Sequence, residues 1–326
     1  MSTVIIPHLG PSIPTYLADC LHQLRLWNKE TAIYIILDPV HKGTDFWVDC
    51  QTKYNVIYCY TDTLSRSTSH QIFLDSYEVN KAFRQGYWQY VMERFFYYEE
   101  LMRRENLTNC ITMEYDVLVY TDLTALTAKL AATPTCRMVR DYPKRGHPGF
   151  FYIPHADAIG DICKFIQSRQ GTDDMTLLAM YAIENPIAMN YLPAITEARN
   201  RSVIPRVSKN RIHTDPHPFY LSQDSEYFNT LFDSAVVGQY ICGVDPRNKN
   251  GQKCTEYINE SALYQFTEMP FMWTQINGLW QPQLDGCPLA TIHVHSKALS
   301  SFVSDRPTVP TADYSATDLL KTLVKN

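Results

Sequence analysis

Apolar and polar positions recur along this chain with two periods. Residues 3–7 form a short apolar run that ends in the turn-forming His8-Leu9-Gly10-Pro11, which predicts a first strand. Over 14–27, Tyr16, Leu17, Cys20, Leu21, Leu24 and Trp27 return at three- and four-residue steps, the spacing of one helical face. Ala32–Leu37 is then unbroken in its apolar character and stops at Asp38-Pro39, the pattern of a strand covered on both sides in a parallel sheet. Residues 56–60 predict another. Strand, helix and strand at these distances make a βαβ unit, so the chain opens as an α/β protein.

The clearest helical stripe runs over about 84–104, where Trp88, Val91, Phe95, Tyr98 and Met102 line one face and Arg103-Arg104 suit the negative end of the helix dipole. Cys110–Met113 predicts a strand that passes through Glu114-Tyr115-Asp116 into the apolar segment 117–120. Further along, strands are expected near 137–140 and 149–153, with helices at 156–168 and from Gly171 to about Ile183. A loop is expected over 200–222, a helix over 229–241, a turn-rich stretch over 245–290, and a last strand at 291–294. A Pro-rich stretch at 306–310 precedes a short terminal helix over 317–324. No internal repeat is present.

Composition narrows the class. With 326 residues, 45% of them apolar and 19% charged, the chain can bury a full core. Its 29 basic and 34 acidic residues leave a net charge of −5, which supplies no broad basic surface for nucleic acid. No run approaches the roughly 20 apolar residues of a membrane span. The first residues lack the basic and long apolar regions of a signal peptide. Nine scattered cysteines without a C-x-x-C pair predict free thiols and a cytoplasmic location. Tyrosine is the one excess, at 22 residues; it offers apolar area and a hydroxyl together, which suits polyhydroxylated ligands.

Four places could carry chemistry. Glu114 and Asp116 are two acids at i and i+2 where a buried strand ends, and hard cations such as Mn²⁺ or Mg²⁺ take carboxylate oxygens, with a diphosphate completing the shell. His293 and His295 alternate onto one face of the last strand and are followed by Lys297; an imidazole can add a nitrogen ligand and an ammonium can neutralise phosphate. Zinc is disfavoured, because no further Cys or His nearby completes a tetrahedral set. Asp173 and Asp174 open a helix, where one can cap it and the other act as a general base. Asp233 introduces a segment whose Ser234, Ala235 and Gly238 allow close backbone approach, and packing alone does not account for the acid.

As a set, these stretches resemble the GT-A-fold, nucleotide-sugar-dependent glycosyltransferases. Glu93-Arg94-Phe95, Glu114 to Tyr120, Phe232-Asp233 through Asp245-Pro246-Arg247-Asn248, and His293 to Lys297 are similar to capsule-type and large-virus members. The resemblance covers about residues 3–303, and Glu114 departs from it where the usual motif has Asp. It implies a Rossmann-type mixed sheet flanked by helices and one domain over 1–303. Residues 1–122 would be its nucleotide-sugar half and the turn-rich 123–303 its acceptor half, with a tail over 304–326. It further implies that Asp116 binds the metal directly, with Glu114 on ribose or metal-bound water, and that His293 or His295 is a further ligand. Lys297 would meet the leaving phosphate. His8, Leu9 and Gly10 would face the nucleotide with Tyr115, Asp38 would lie near base or ribose, and Arg94 would meet the donor or an acid of the fold. Inverting transfer with Asp174 as base, Asp173 beside it and Asp233 in reserve completes the expectation, a glycan or other hydroxyl being the acceptor. A sugar nucleotidyltransferase shares sheet and metal but wants a Gly-rich, basic loop after the first strand; here one glycine and no Lys or Arg stand there. A carbohydrate-binding protein that keeps the fold without turnover is the other alternative.

Overall fold

The structure is a computed structural model that describes residues 2–77, 83, 86–169, 171–202, 218–245, 247, 262–264 and 269–305. Its strands are β1 Thr3–His8, β2 Ala32–Leu37, β3 Ile57–Tyr60, β4 Cys110–Met113, β5 Val117–Val119, β6 Cys136–Tyr142, β7 Arg145–Ile153, β8 Met189–Leu192, β9 Leu231–Phe232, β10 Phe271–Ile276, β11 Leu279–Leu284 and β12 Cys287–His293. The helices are α1 Leu17–Trp27, α2 Asp45–Tyr54, α3 Thr68–Ser76, α4 Tyr87–Arg104, α5 Leu123–Leu130, α6 Ala156–Gln167, α7 Asp174–Glu184, α8 Glu197–Ser202, α9 Ser225–Phe228 and α10 Val236–Ile241. The predicted tail helix at 317–324 lies outside the described residues.

Seven strands form a mixed sheet in the order β3-β2-β1-β4-β7-β6-β8. β1, β2, β3 and β4 run parallel, while β7 is antiparallel to both β4 and β6. This is the expected Rossmann-type α/β architecture. Val4, Ile5, Ile6, Ile35 and Ile36 are fully buried, each contributing about 1.5–3 kcal/mol by leaving water. Strands β6, β7 and β8, from beyond residue 122, extend the same sheet that β1 to β4 begin.

A second, five-stranded sheet has the order β10-β11-β12-β5, with β9 alongside β12. Its β5 continues directly from β4, so Glu114-Tyr115-Asp116 is the crossing from one sheet to the other. The crossing is pinned by backbone bonds: Glu114 N–H donates to Gly149 O at 3.0 Å and Val294 N–H to Asp116 O at 2.7 Å. Helix α1 packs on β5. Its buried Gln23 donates to Val119 O and Ser304 Oγ, both at 2.8 Å, and accepts from Ser304 N–H at 2.8 Å.

Three expectations change. The helix predicted over 229–241 is instead β9 followed by the short α10, because Asn229, which ends α9, and Ala235 have positive φ (51° and 68°) and the apolar pair between them joins β12. The stretch 245–290 contains two strands of its second sheet, linked by Asn277-Gly278 and followed by Asp285-Gly286. All four of these residues have positive φ, as two-residue hairpin turns require. Finally, α4 is buried from Met92 to Met102 on nearly every side rather than along one stripe. Among those residues are Glu93, Arg94, Glu99 and Glu100, each of which must find partners inside the protein.

Candidate active site

Open parallel sheets place ligands beyond the carboxyl ends of their strands. There, past Pro7 and the loop 9–14, lies a cavity of about 630 Å³. Leu9, Gly10, Tyr115, Arg94, Glu114, Asp116, His295 and Lys297 line it, joined by Tyr16, Tyr87, Tyr90, Asp245 and Arg247. A volume of this order accommodates a drug-sized or nucleotide-sized ligand.

The two acids of the sheet crossing are held differently. Glu114 Oε1 accepts from Arg94 Nη1 at 2.6 Å, and Arg94 Nη2 donates to Asp174 Oδ2 at 2.6 Å. Arg94 therefore bridges two carboxylates from the middle of α4. Asp116 Oδ2 accepts from Lys297 Nζ and lies 3.1 Å from His293 Nε2, which is also 3.5 Å from Glu114 Oε2. Asp116 Oδ1 is buried and has no hydrogen-bond partner among the described residues. One ligand atom each from Glu114, Asp116 and His293 fall within 4.8 Å of one another. Two carboxylates, one imidazole and an orphaned carboxylate oxygen form a donor set that fits a hard divalent cation.

Electrostatics follow from that packing. Burial pushes the Asp116 carboxyl up, but His293 and Lys297 overcome it and hold it well below the usual range. Glu114 is likewise pushed up by burial and brought down on balance, chiefly by Arg94. Burial lowers His293, yet Asp116 and Glu114 outweigh it and its net shift is upward. His295 is lowered to about 4 by burial, with His293 and Lys297 adding to the effect. Its Nδ1 accepts from Asp245 N–H at 2.9 Å, so the neutral ring carries its proton on Nε2. His293, by contrast, turns Nε2 toward both acids.

The acidic pair at the start of α7 divides. Asp173 is the N-cap, accepting from Thr176 N–H at 2.9 Å and Thr176 Oγ1 at 3.0 Å. Asp174 is buried against Arg94, does not line the cavity, and is raised to about 6, first by its burial. Asp233 stands at the far side of β12 from β5, with both oxygens accepting backbone N–H groups. Two of the residues expected near the nucleotide support the wall instead of lining it. Asp38 accepts from Gly10 N–H at 2.6 Å and Thr61 Oγ1 at 3.1 Å. His8 is 1% exposed and lowered to about 4, mainly by burial; its Nε2 donates to Ser12 O at 2.6 Å and its ring packs 5.4 Å from Tyr115.

Tyr16, Tyr87, Tyr90, Asp245 and Arg247 are among the lining residues to which the sequence had assigned no site role. The tyrosine excess was their one compositional signal. Arg247 is held by Asp245, with Nη2 2.6 Å from Oδ2, and its side chain is 61% exposed, so its cationic face meets the cavity mouth.

No protein-family model matches this chain, and no curated protein matches it in sequence. Among solved structures it is similar to an active-site mutant of LgtC, at 12% identity over 68% of this chain and 83% of that one, with a TM-score of 0.45. It is also similar to the galactosyltransferase LgtC in complex with donor and acceptor sugar analogs (11% identity, 66% and 80% covered, TM-score 0.41). The apo form of mouse xyloside xylosyltransferase 1 is a third (10% identity, 59% and 85% covered, TM-score 0.41). None of them lends a residue role to this chain. No helix among the described residues is long and apolar enough to cross a membrane.

Proposed function

We propose that this protein is a divalent-cation-dependent glycosyltransferase, moving a sugar from a nucleotide-sugar donor to a hydroxyl of a glycan or glycoconjugate acceptor. The observation that supports this best is the Glu114–Asp116–His293 set beside Lys297, in which Glu114, Asp116 and Lys297 line a cavity beyond parallel strand ends and His293 stands behind the two acids. Mn²⁺ or Mg²⁺ held by these three residues would neutralise the donor's diphosphate as it departs. Lys297 adds a second positive charge where the leaving phosphate grows more anionic, an interaction stronger in the transition state than before it. Arg94 keeps Glu114 ionised and aimed. Of the two histidines, His293 suits the ligand role, because the His295 Nδ1 lone pair is taken by the Asp245 amide and its Nε2 carries the proton. Tyr16, Tyr87, Tyr90 and Tyr115 offer ring faces and hydroxyls for a nucleoside and sugar.

Inversion with Asp174 as the base is the finer proposal. A carboxyl pushed to about 6 is suited to accept a proton near neutral pH. In the structure Arg94 stands between it and the cavity, so the role requires the guanidinium to turn toward the donor's phosphate and release Asp174. Asp174→Asn would then slow transfer about 10²–10⁴-fold, and NMR would show the product's anomeric configuration inverted. A near-normal rate, or a product that retains configuration, removes the assignment.

The reaction itself is tested by a thermal-shift screen of nucleotide sugars with and without Mn²⁺, followed by assays of donor hydrolysis and transfer with the stabilising donor. Donor-specific stabilisation and metal-dependent turnover are expected. Binding without turnover, and without a metal requirement, would make the protein a carbohydrate-binding module.

A further inference from the structure

His293 is the last residue of β12 and the only one of the three candidate ligands that comes from the second half of the chain. Its strand is flanked on one side by β5, in the register Thr291↔Val119, Ile292↔Leu118, His293↔Val117. On the other side β9 reaches only as far as Phe232, paired with Thr291. The ladder thus runs out two residues before the ligand, where the His293 N–H needs an acceptor. Asp233, the next residue after β9, supplies it. Its Oδ2 accepts from His293 N–H at 2.9 Å and from Gly238 N–H at 2.9 Å, its Oδ1 accepts from Val237 N–H at 3.0 Å, and its own N–H donates to Thr291 Oγ1 at 3.1 Å. One carboxylate therefore binds the ligand's backbone to the first turn of α10.

Two glycines complete the grip. A Cβ on Gly238 would lie 1.9 Å from the His293 carbonyl oxygen, so only glycine lets α10 come this close to the strand. A Cβ on Gly149 would lie 3.3 Å from His293 Nδ1, so the backbone of β7 runs close beside that edge of the ring, while Asp116 faces Nε2. Nε2 is left facing Asp116 and Glu114, at 3.1 and 3.5 Å.

Resting on the cation-site reading above, we propose that Asp233 is a positioning residue for the metal site: it fixes the backbone of His293 and, with Gly149 beside the ring, aims Nε2 at the acids. An Asn at 233 has the same shape but presents an NH₂ group to at least one backbone N–H, so the bonds to α10 and His293 are not all kept. Removing the partners that orient a metal ligand typically weakens metal affinity 10–100-fold.

The test is Mn²⁺ affinity of the donor-free protein, read by EPR of free Mn²⁺, in wild type, Asp233→Asn and Gly149→Ala. Both variants are expected to bind Mn²⁺ about 10–100-fold more weakly, and raising Mn²⁺ should restore their transfer rate at saturating donor. A residue that serves only folding would lower the melting temperature without that rescue. Folded Asp233→Asn with wild-type Mn²⁺ affinity overturns the inference. Should Asp233→Asn fail to fold, unchanged affinity in Gly149→Ala overturns it instead. Wild-type protein that binds no Mn²⁺ at all removes the cation-site reading and this inference together, whereas wild-type binding with unaltered variants removes this inference alone.

Discussion

Helix α4 carries two buried charged clusters on adjacent residues, and they differ in access. Glu93 faces His70, with Nε2 to Oε1 at 3.2 Å, and Glu100 Oε1 takes the other ring nitrogen at 2.7 Å. Tyr97 Oη and Gln89 Nε2 donate to Glu93, and His70 stacks on Phe96 at 5.0 Å. Arg94, one residue on, lines the cavity with Glu114 and joins it to Asp174 behind the wall. Each assembly leaves a buried carboxylate oxygen without a partner among the described residues, Glu100 Oε2 in the first and Asp116 Oδ1 beyond Arg94 in the second. Incomplete hydrogen bonding therefore does not distinguish them. What does is that His70 is 0% exposed and walled by α3 and α4, whereas Asp116 borders space for a ligand. A buried charge is a reason to look for a site, and an opening is what turns it into one.

That contrast can be broken by substitutions on each side. Asp116→Asn keeps the shape of the side chain and removes its charge. If the open cluster holds the cation, this variant loses several kcal/mol of transition-state stabilisation, about 10³-fold or more in rate, with its fold intact by circular dichroism. Wild-type turnover at limiting Mn²⁺ would place the cation elsewhere. Lys297→Ala is expected to lower kcat by about 10²–10³-fold while donor affinity changes far less. Steady-state kinetics that show KM rising at constant kcat would make Lys297 a binding residue only. On the sealed side, His70→Gln should cost about 1–3 kcal/mol in urea unfolding and leave the transfer rate of the folded protein nearly unchanged. A rate loss without a stability loss would mean the two clusters are coupled through α4.

The sealed cluster also predicts a pH window. Burial lowers His70, but its bonds to Glu100 and Glu93 raise it above its ordinary 6.5 on balance, so its stabilisation is complete below 6.5 and fades as pH climbs through the raised value. Glu93 is raised by burial and lowered on balance by His70 and Tyr97, so its contribution is present above 4.5 and fades as pH falls through the lowered value. Unfolding free energy measured against pH should show the His70→Gln difference greatest between those limits. A difference that does not vary with pH would mean His70 is neutral in the fold.

Much of the fold was legible because the signals were local. Ala32–Leu37 is an apolar run closed by Asp38-Pro39 and Cys110–Met113 one that ends at the acids Glu114 and Asp116, and the structure has both strands with those ends. The segment 229–241 misled, because the left-handed residues Asn229 and Ala235 cut an apolar stretch whose period resembles a helix. Asn277-Gly278 and Asp285-Gly286 were readable hairpin signals in a stretch taken as turns alone. At the site, the acid pair and Lys297 showed in the sequence because their chemistry is unusual at a strand end. The split between Asp173 and Asp174 did not, since it depends on which carboxylate caps α7 and which reaches Arg94 across 80 residues. Telling His293 from His295 required the Asp245 amide, and finding Arg247 in the cavity wall required the fold.

The ladder between β5 and β12 has a kinetic meaning as well. Asp116 and Lys297 are separated by 181 positions, and His293 pairs with Val117 across nearly the same distance. Closing so long a loop costs entropy before any contact compensates it, and contacts of high sequence separation slow folding. A slip of one residue in that pairing would also turn the His293 ring to the opposite side of the strand. A chain that has docked β12 one step out of place can thus have a finished parallel sheet and an intact cavity loop and still offer only two of the three candidate cation ligands. If the three hold a cation, Mn²⁺ added during refolding would discriminate among such species, since it would stabilise only chains whose two distant segments have met in the right register.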